Sequence, residues 1–578
     1  MKNIMKNTFY IIASTVALLS LGMLTSSCTK DLNAYPLNET DYTSETAYGN
    51  NYENYVAGLA KIYRCFSNTS DLTVDDAGAS ELVRAFWCIQ ECSTDACKND
   101  WEKDAWTQDI NKNTWSTADN AATYAVYART LHGITYTNEF LRQTTDEKLE
   151  KRNCSSELIS QVHELRAEAR FIRAYMYWMA MDTFGDVPFV TEESEFGAVI
   201  PEVAKRSDVF NFIESELVDL TSSSSALPAA RSNYPRVDKG SAWGLLSRLY
   251  LNAQVYNATV DANGNVTAKG AAKWAECKAA CEEIFKLNYG LCSNYFDLFR
   301  GDNGENPDAN QEFLFALYYD AVNNRSWGGT CFLVESEFQR SDDQDADGKD
   351  LYSLGVADGW AGIRMPAEFA KTYFGVTVSE SGYNSDGSYK GTYNYVDKRA
   401  ANFFIKGHAE KMSDLAEFTQ GWSYYKFNNI PHDVTREAFA ETAATYTTAS
   451  AKASIDYPMI RLAEIYLNYA EACLNLNQDK DKALVYLNEI TERAGLEPVN
   501  SYDMAYIQKE RAVELSWEGL RRIDLIRWDL FNSGTFLWKW KGGSYEGQAF
   551  SDYRLVFDFP SSELVSNSNL SHKPGYSN

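Results

Sequence analysis

Beyond Cys28 the chain has no apolar run long enough to cross a bilayer, which takes roughly 20 predominantly apolar residues, so the bulk of it is expected to be a soluble body. It also lacks an excess of positive charge. The formal net charge is −26, and neutralising phosphates requires basic patches, which makes nucleic acid and anionic lipid poor partners and favours a neutral ligand. Of the 11 cysteines, those after Cys28 show neither the short repeated spacing of a metal site nor the density of a small disulfide scaffold. Cys88, Cys92 and Cys97 lie close together, but no nearby histidine supplies a fourth zinc ligand. Nucleophile elbow, metalloprotease helix and phosphate loop are all missing as well.

What is present begins at the amino terminus. Lys2 and Lys6 precede an apolar run from Ile11 to Leu24, and Thr25-Ser26-Ser27 leads into Cys28. That order of charge, apolar stretch and small residues predicts a cleaved export signal over residues 1–27. A thiol directly after the small residues is placed for acylation, which makes Cys28 the expected lipid anchor. Each buried methylene of an acyl chain contributes about 0.8 kcal/mol, so several chains on one residue hold a soluble body at a membrane surface.

Hydrophobic residues make up 45% of the chain, ample for a large core. Long amphipathic helices are predicted. Val162, Leu165, Ala169, Ile172, Met176 and Met179 recur at spacings of three and four, and Phe171, Tyr175 and Trp178 form a second stripe, so this helix should pack on two sides. Leu245, Leu249 and Ala253 continue the pattern, as do Trp274, Cys277, Cys281 and Ile284. Ile460, Ala463, Leu467, Ala470 and Leu474, followed after a polar turn by Leu484, Leu487 and Ile490, resemble a tetratricopeptide-type hairpin closed by Gly495. A further helix is predicted from about Asp503 to Trp528. Residues 221–239, 375–398 and 429–456 read as loops or short hairpins. Asp71 to Asn120 also reads as irregular, yet it carries Trp87, Trp101, Trp106 and Trp115.

Several segments together carry a resemblance. Arg166-Ala-Glu-Ala-Arg-Phe-Ile-Arg-Ala-Tyr175 followed by Phe184-Gly-Asp-Val-Pro-Phe189 is similar to the central signature of the SusD/RagB family of Bacteroidetes outer-membrane lipoproteins. Arg236 to Trp243 with Leu249 to Ala253, Arg461 to Leu467 with Ala470 to Ala472, Glu510-Arg511 to Asp524, and Asn569-Leu570 to Pro574-Gly-Tyr576 agree with it. Resemblance of this extent implies a mostly α fold over residues 28–578. Tetratricopeptide-like helical hairpins, an α-α superhelix mainly over 40–66, 120–290 and 455–530, would carry a loop-rich ligand-binding face mainly over 71–118 and 320–450. It further implies a cell-surface lipoprotein that binds glycans without cleaving them and works with a SusC-like TonB-dependent transporter.

The resemblance extends to the glycan site of the family's starch-binding founder. Asp76 and Arg84 keep that site's spacing, and Thr94-Asp95 leads to Trp101 and Asp104, where the founder has tryptophan and asparagine. Arg325-Ser-Trp-Gly-Gly329 matches a segment with tyrosine at the Trp327 position, and Asp358-Gly-Trp360 matches another binding tryptophan. The chemistry suits a sugar. A pyranose presents a face of C–H groups to a flat ring and a rim of hydroxyls to donors and acceptors. Trp101, Trp327 and Trp360 would be platforms, Asp76 and Asp104 acceptors, and the Arg84 fork a donor. Trp87, Trp106 and Trp115 have no such match and are expected to be structural.

The expected ligand is therefore a starch-type α-glucan oligosaccharide, with another polysaccharide or a host glycan as the alternative. A glycoside hydrolase, which needs two carboxylates beside a bound sugar, and a protein-interaction module are the readings from other classes. No cofactor is required. Asp343, Asp345, Asp347 and Gly348 copy the first half of a calcium loop, but Leu354 stands where the bidentate glutamate belongs, so calcium there competes with a solvated acidic loop. The acidic stretch Gly301 to Glu312 is a second oxygen-rich candidate.

Overall fold

The structure, a computed structural model, describes residues 44–69, 78–116, 120–194, 200–323, 326–339, 354–356, 358–435, 438 and 452–576. Cys28, Asp76 and the Asp343, Asp345 and Asp347 segment lie outside these residues. Helices dominate. Ala121–Gln143 packs on Ser156–Phe184, which packs on Arg206–Thr221. Lys239–Leu251 packs on Trp274–Ile284, and that helix meets Leu462–Leu476, whose other neighbours are Lys480–Arg493 and Met504–Glu514. Successive helices therefore stack side by side.

The 156–184 helix shows how the sequence builds this layer. The Ser155 hydroxyl accepts the Leu158 N–H at 3.2 Å and caps its start. Both predicted stripes are buried, because neighbouring helices cover two sides. The Gly133 backbone comes so close to the Met176 thioether that any Cβ there would overlap it, which lets the 121–143 helix seat against this one. Asp238 caps the 239–251 helix reciprocally. Its carboxylate accepts from Gly240 N and Ser241 N at 2.8 and 3.1 Å, while Ser241 Oγ accepts the Asp238 N–H at 3.2 Å.

The recurring charged residues near the C-terminus are buried rather than exposed. Arg461 contacts Glu312 at 2.7 Å and both Glu514 and Glu518 at 2.6 Å. Arg399 reaches Glu514 at 2.8 Å. Burial alone would raise the Glu514 carboxyl, but the charges of Arg493, Arg461 and Arg399 outweigh it and hold it well below the usual carboxylate range. Losing one partner of such a network costs about 3–5 kcal/mol, because an uncompensated charge stays inside. The strand Phe313–Leu317 pairs antiparallel with Tyr457–Arg461, all ten residues buried, and so fixes Arg461 beside Glu312.

Two expectations are corrected. The stretch from 71 to 120 is not irregular throughout, since Leu82–Glu91 and Ala105–Lys112 are helices. Every residue of the first is buried, Arg84 and Glu91 included, and its 10 residues fall short of the roughly 11–18 over which a helical period is read. The predicted helix from 503 to 528 is two, Met504–Glu514 and Arg521–Arg527. Trp517 and Gly519 between them have φ of 62° and 76°, and the Trp517 indole donates to Ala96 O at 3.1 Å. The described cysteines are free, with Cys92 and Cys97 sulfurs 3.9 Å apart.

Candidate functional site

Three indoles far apart in sequence meet. The ring centroids of Trp101 and Trp360 lie 6.5 Å apart with planes at 48°, and those of Trp360 and Trp327 lie 6.3 Å apart at 24°. Trp327 is 48% exposed, and Trp101 and Trp360 are part-buried. The result is an arc of aromatic surface.

The backbone explains why they meet. Lys98–Asn99 pairs antiparallel with Ile363–Arg364, and Asp100 N donates to Gly362 O at 2.8 Å, which brings the turn holding Trp101 against the strand that follows Trp360. A Cβ on Gly362 would come within 2.7 Å of Trp101 Cζ2, so glycine is needed for the approach. Trp360 N donates to Glu335 O at 2.5 Å and Gly362 N to Ser336 O at 2.8 Å, which docks this strand along the buried helix Gly329–Ser336. Trp327 sits two residues before that helix. Phe332, from the same helix, forms the floor, packed edge-on against Trp101 at 6.0 Å and Trp87 at 5.7 Å.

Glu81 ties the pieces together. Its carboxylate accepts from Arg84 N at 3.0 Å, the Tyr319 hydroxyl at 2.7 Å, the Ser326 hydroxyl at 3.1 Å and the Gly329 N–H. Burial pushes this carboxyl up, and the hydrogen bonds oppose the shift. No sequence motif marked Glu81, because Tyr319, Ser326 and Gly329 lie more than 200 residues away.

Arg84 is brought to the arc, but behind it. Its guanidinium carbon lies 5.3 Å from the Trp101 ring centroid and 4.5 Å from that of Phe332, and the residue is 2% exposed. The guanidinium packs on these two rings as a cation, and burial leaves little of the expected donor fork at the surface. Asp104 is exposed, its N–H bonded to Trp101 O at 2.9 Å, and its carboxylate does not cap the helix it precedes. Trp87 and Trp115 are 1% and 2% exposed, core residues in keeping with the structural role expected of them.

Two charged residues at the arc were not legible in the sequence. Lys452, 4% exposed, sets its ammonium 3.0 Å from the Trp327 ring centroid. Glu335 is 1% exposed, and burial pushes its carboxyl up to about 7, with the Lys452 charge opposing. In the acidic stretch, Glu312 is bound to Arg461 and Arg493, and Asp308 accepts the Ser293 N–H. Asp302, His432 and Asp433 place ligand-type atoms within 4.8 Å of one another. No helix among the described residues is long and apolar enough to cross a membrane.

Comparison with known proteins agrees across the chain. The sequence model of the SusD family matches residues 311–576, and one described as starch-binding, associating with outer membrane, matches residues 84–251. Starch-binding protein SusD of Bacteroides thetaiotaomicron is 28% identical, with 98% of each chain covered. A SusD-like protein of Bacteroides ovatus is 24% identical over 63% of this chain and 58% of its own. Among solved structures, a SusD superfamily protein from Parabacteroides distasonis has a TM-score of 0.63 at 20% identity, covering 93% of this chain and 100% of that one. A laminarin-binding SusD-like protein has a TM-score of 0.63 at 20% identity, covering 92% and 100%. With a helical scaffold of the same fold and matching models over both halves, this chain belongs to the SusD family.

Proposed function

We propose that this protein binds starch-type α-glucan oligosaccharides on the arc of Trp101, Trp360 and Trp327 and delivers them to a SusC-like TonB-dependent transporter, held at the cell surface of the outer membrane by lipidated Cys28. The observation that carries the reading is the convergence of three indoles from positions 101, 327 and 360 on one arc with a half-exposed end. Indole faces take up the C–H faces of successive sugar rings. Successive platforms turned by 48° and 24° suit a curling chain better than a flat ribbon. Asp104, and Asp76 by its resemblance, would accept hydroxyl protons, with Arg84 backing Trp101.

Calorimetry with maltoheptaose, beside an affinity gel containing amylopectin, laminarin, levan or mucin glycans, tests ligand class. Binding to levan or mucin glycans without amylopectin would move the protein to another glycan. The laminarin-binding relative favours laminarin as the second candidate, since the same fold there serves a different glucan. Fatty-acid labelling that disappears in Cys28→Ala tests the anchor, and co-purification with a TonB-dependent barrel tests the partner. Two of these relatives are named for binding a glucan, and incubation with amylose is expected to release no new reducing ends.

A further inference from the structure

Four buried lysines among the described residues bond their ammonium groups to protein oxygens. Lys98 donates to three backbone carbonyls at 2.8–3.0 Å. Lys541 also donates to three, those of Leu530, Ser533 and Phe536. Lys426 pairs with Glu518 at 2.7 Å, and Lys573 donates to Asp186 O. Lys452 is 4% exposed as a residue, and its ammonium differs from these four in lying against an aromatic ring. What it touches is the ring of Trp327, at 3.0 Å from the centroid, the most exposed of the three platforms. A desolvated ammonium is costly unless it is paired, and a cation–π contact returns only part of the lost hydration. An ammonium carries three donors and a ring face does not use them all, so an oxygen placed at the Trp327 end of the arc finds a donor beside it.

We propose that Lys452 is a specificity-determining residue: its ammonium donates to oxygens of the sugar unit seated at Trp327, accepting neutral and acidic units and rejecting units that carry an amine. Like charges brought together across a desolvated contact cost binding, whereas a carboxylate or sulfate meets a charge-assisted donor. Glu335 is buried nearby, and the Lys452 charge opposes the upward push that burial gives its carboxyl. The whole-molecule charge of −26 pulls the opposite way, toward cationic ligands. Discrimination against an amine must then come from the local contact.

This inference rests on the glycan-binding reading, and the test separates the two. Three malto-oligosaccharides of one length are titrated by calorimetry: the neutral form, one with a 6-amino-6-deoxy unit at its end, and one with a 6-carboxylate there. The wild-type protein is expected to bind the amino form at least tenfold more weakly than the neutral form, and the carboxylate form at least as well. Lys452→Met should bring the three within about threefold of one another, and Lys452→Arg should restore the order. If wild type binds none of them, the glucan reading fails. If it binds the neutral form but takes the amino form equally well, or if a folded Lys452→Met keeps the wild-type order, the role of Lys452 is overturned. The wild-type comparison alone is decisive should the methionine variant not fold.

Discussion

The Glu81 carboxylate receives the Gly329 N–H, two residues beyond Trp327, while it also accepts the N–H of Arg84 at 3.0 Å. One buried acid thus joins the helix that backs Trp101 to the turn that presents Trp327. Glu81→Ala strands the Tyr319 and Ser326 hydroxyls and two backbone N–H groups, each costing about 1–3 kcal/mol when left unsatisfied. Denaturant unfolding should show a loss of at least about 2 kcal/mol. Glucan affinity should fall with it although no ligand-facing group has changed, and an unaltered affinity would detach Glu81 from the site.

Trp327→Ala is the cleanest deletion of a platform. Its 48% exposure means that little core packing is lost, so the midpoint of thermal unfolding should stay within a few degrees while glucan binding weakens by more than about 1 kcal/mol. Trp101→Ala and Trp360→Ala should weaken binding as much. Trp101→Ala should also cost stability, because its ring packs on Phe332 and Arg84. Unchanged affinity in all three variants would remove the arc from the binding site.

Gly362→Ala moves a platform without deleting an aromatic ring. The added methyl meets Trp101 Cζ2 at 2.7 Å and Ser336 Cβ at 2.9 Å, both tighter than real contacts allow, so the indole must swing away from Trp360. Binding should drop at least fivefold, and the near-ultraviolet circular dichroism of the tryptophans should change with it. Affinity and spectrum both matching wild type would mean that the spacing of Trp101 and Trp360 carries no energy.

These residues mark how far the sequence could be read. The 156–184 helix was legible because two apolar stripes at helical spacing answer to two packing partners. The 82–91 helix was not, since its 10 residues are fewer than the roughly 11–18 over which a helical period is read, and its Arg84 and Glu91 are buried with the apolar residues. Trp101, Trp327 and Trp360 stood out by resemblance rather than by spacing, as no periodicity links three positions joined only by tertiary structure. Glu81, Gly362 and Lys452 stayed hidden for the same reason: each is defined by a neighbour more than 100 residues distant.

Glu91 gives the fold a dependence on pH. It is fully buried, and its carboxylate accepts the N–H groups of Gly519 and Leu520 at 2.8 and 3.2 Å across the turn that divides the last two helices of the scaffold. Burial pushes this carboxyl up to about 8, against the pull of those hydrogen bonds and of the Lys426 and Arg521 charges. Between the ordinary glutamate value near 4.3 and about 8, the folded state holds a proton that the unfolded state has released. Stability therefore falls as pH rises through that window, because the unfolded state binds fewer protons. Glu91→Gln keeps the shape and the acceptor oxygen but removes the titration. Unfolding at pH 5 and pH 8 should show the wild type losing on the order of 1 kcal/mol or more relative to the variant. Equal slopes for the two proteins would mean that Glu91 is ionised in the fold throughout.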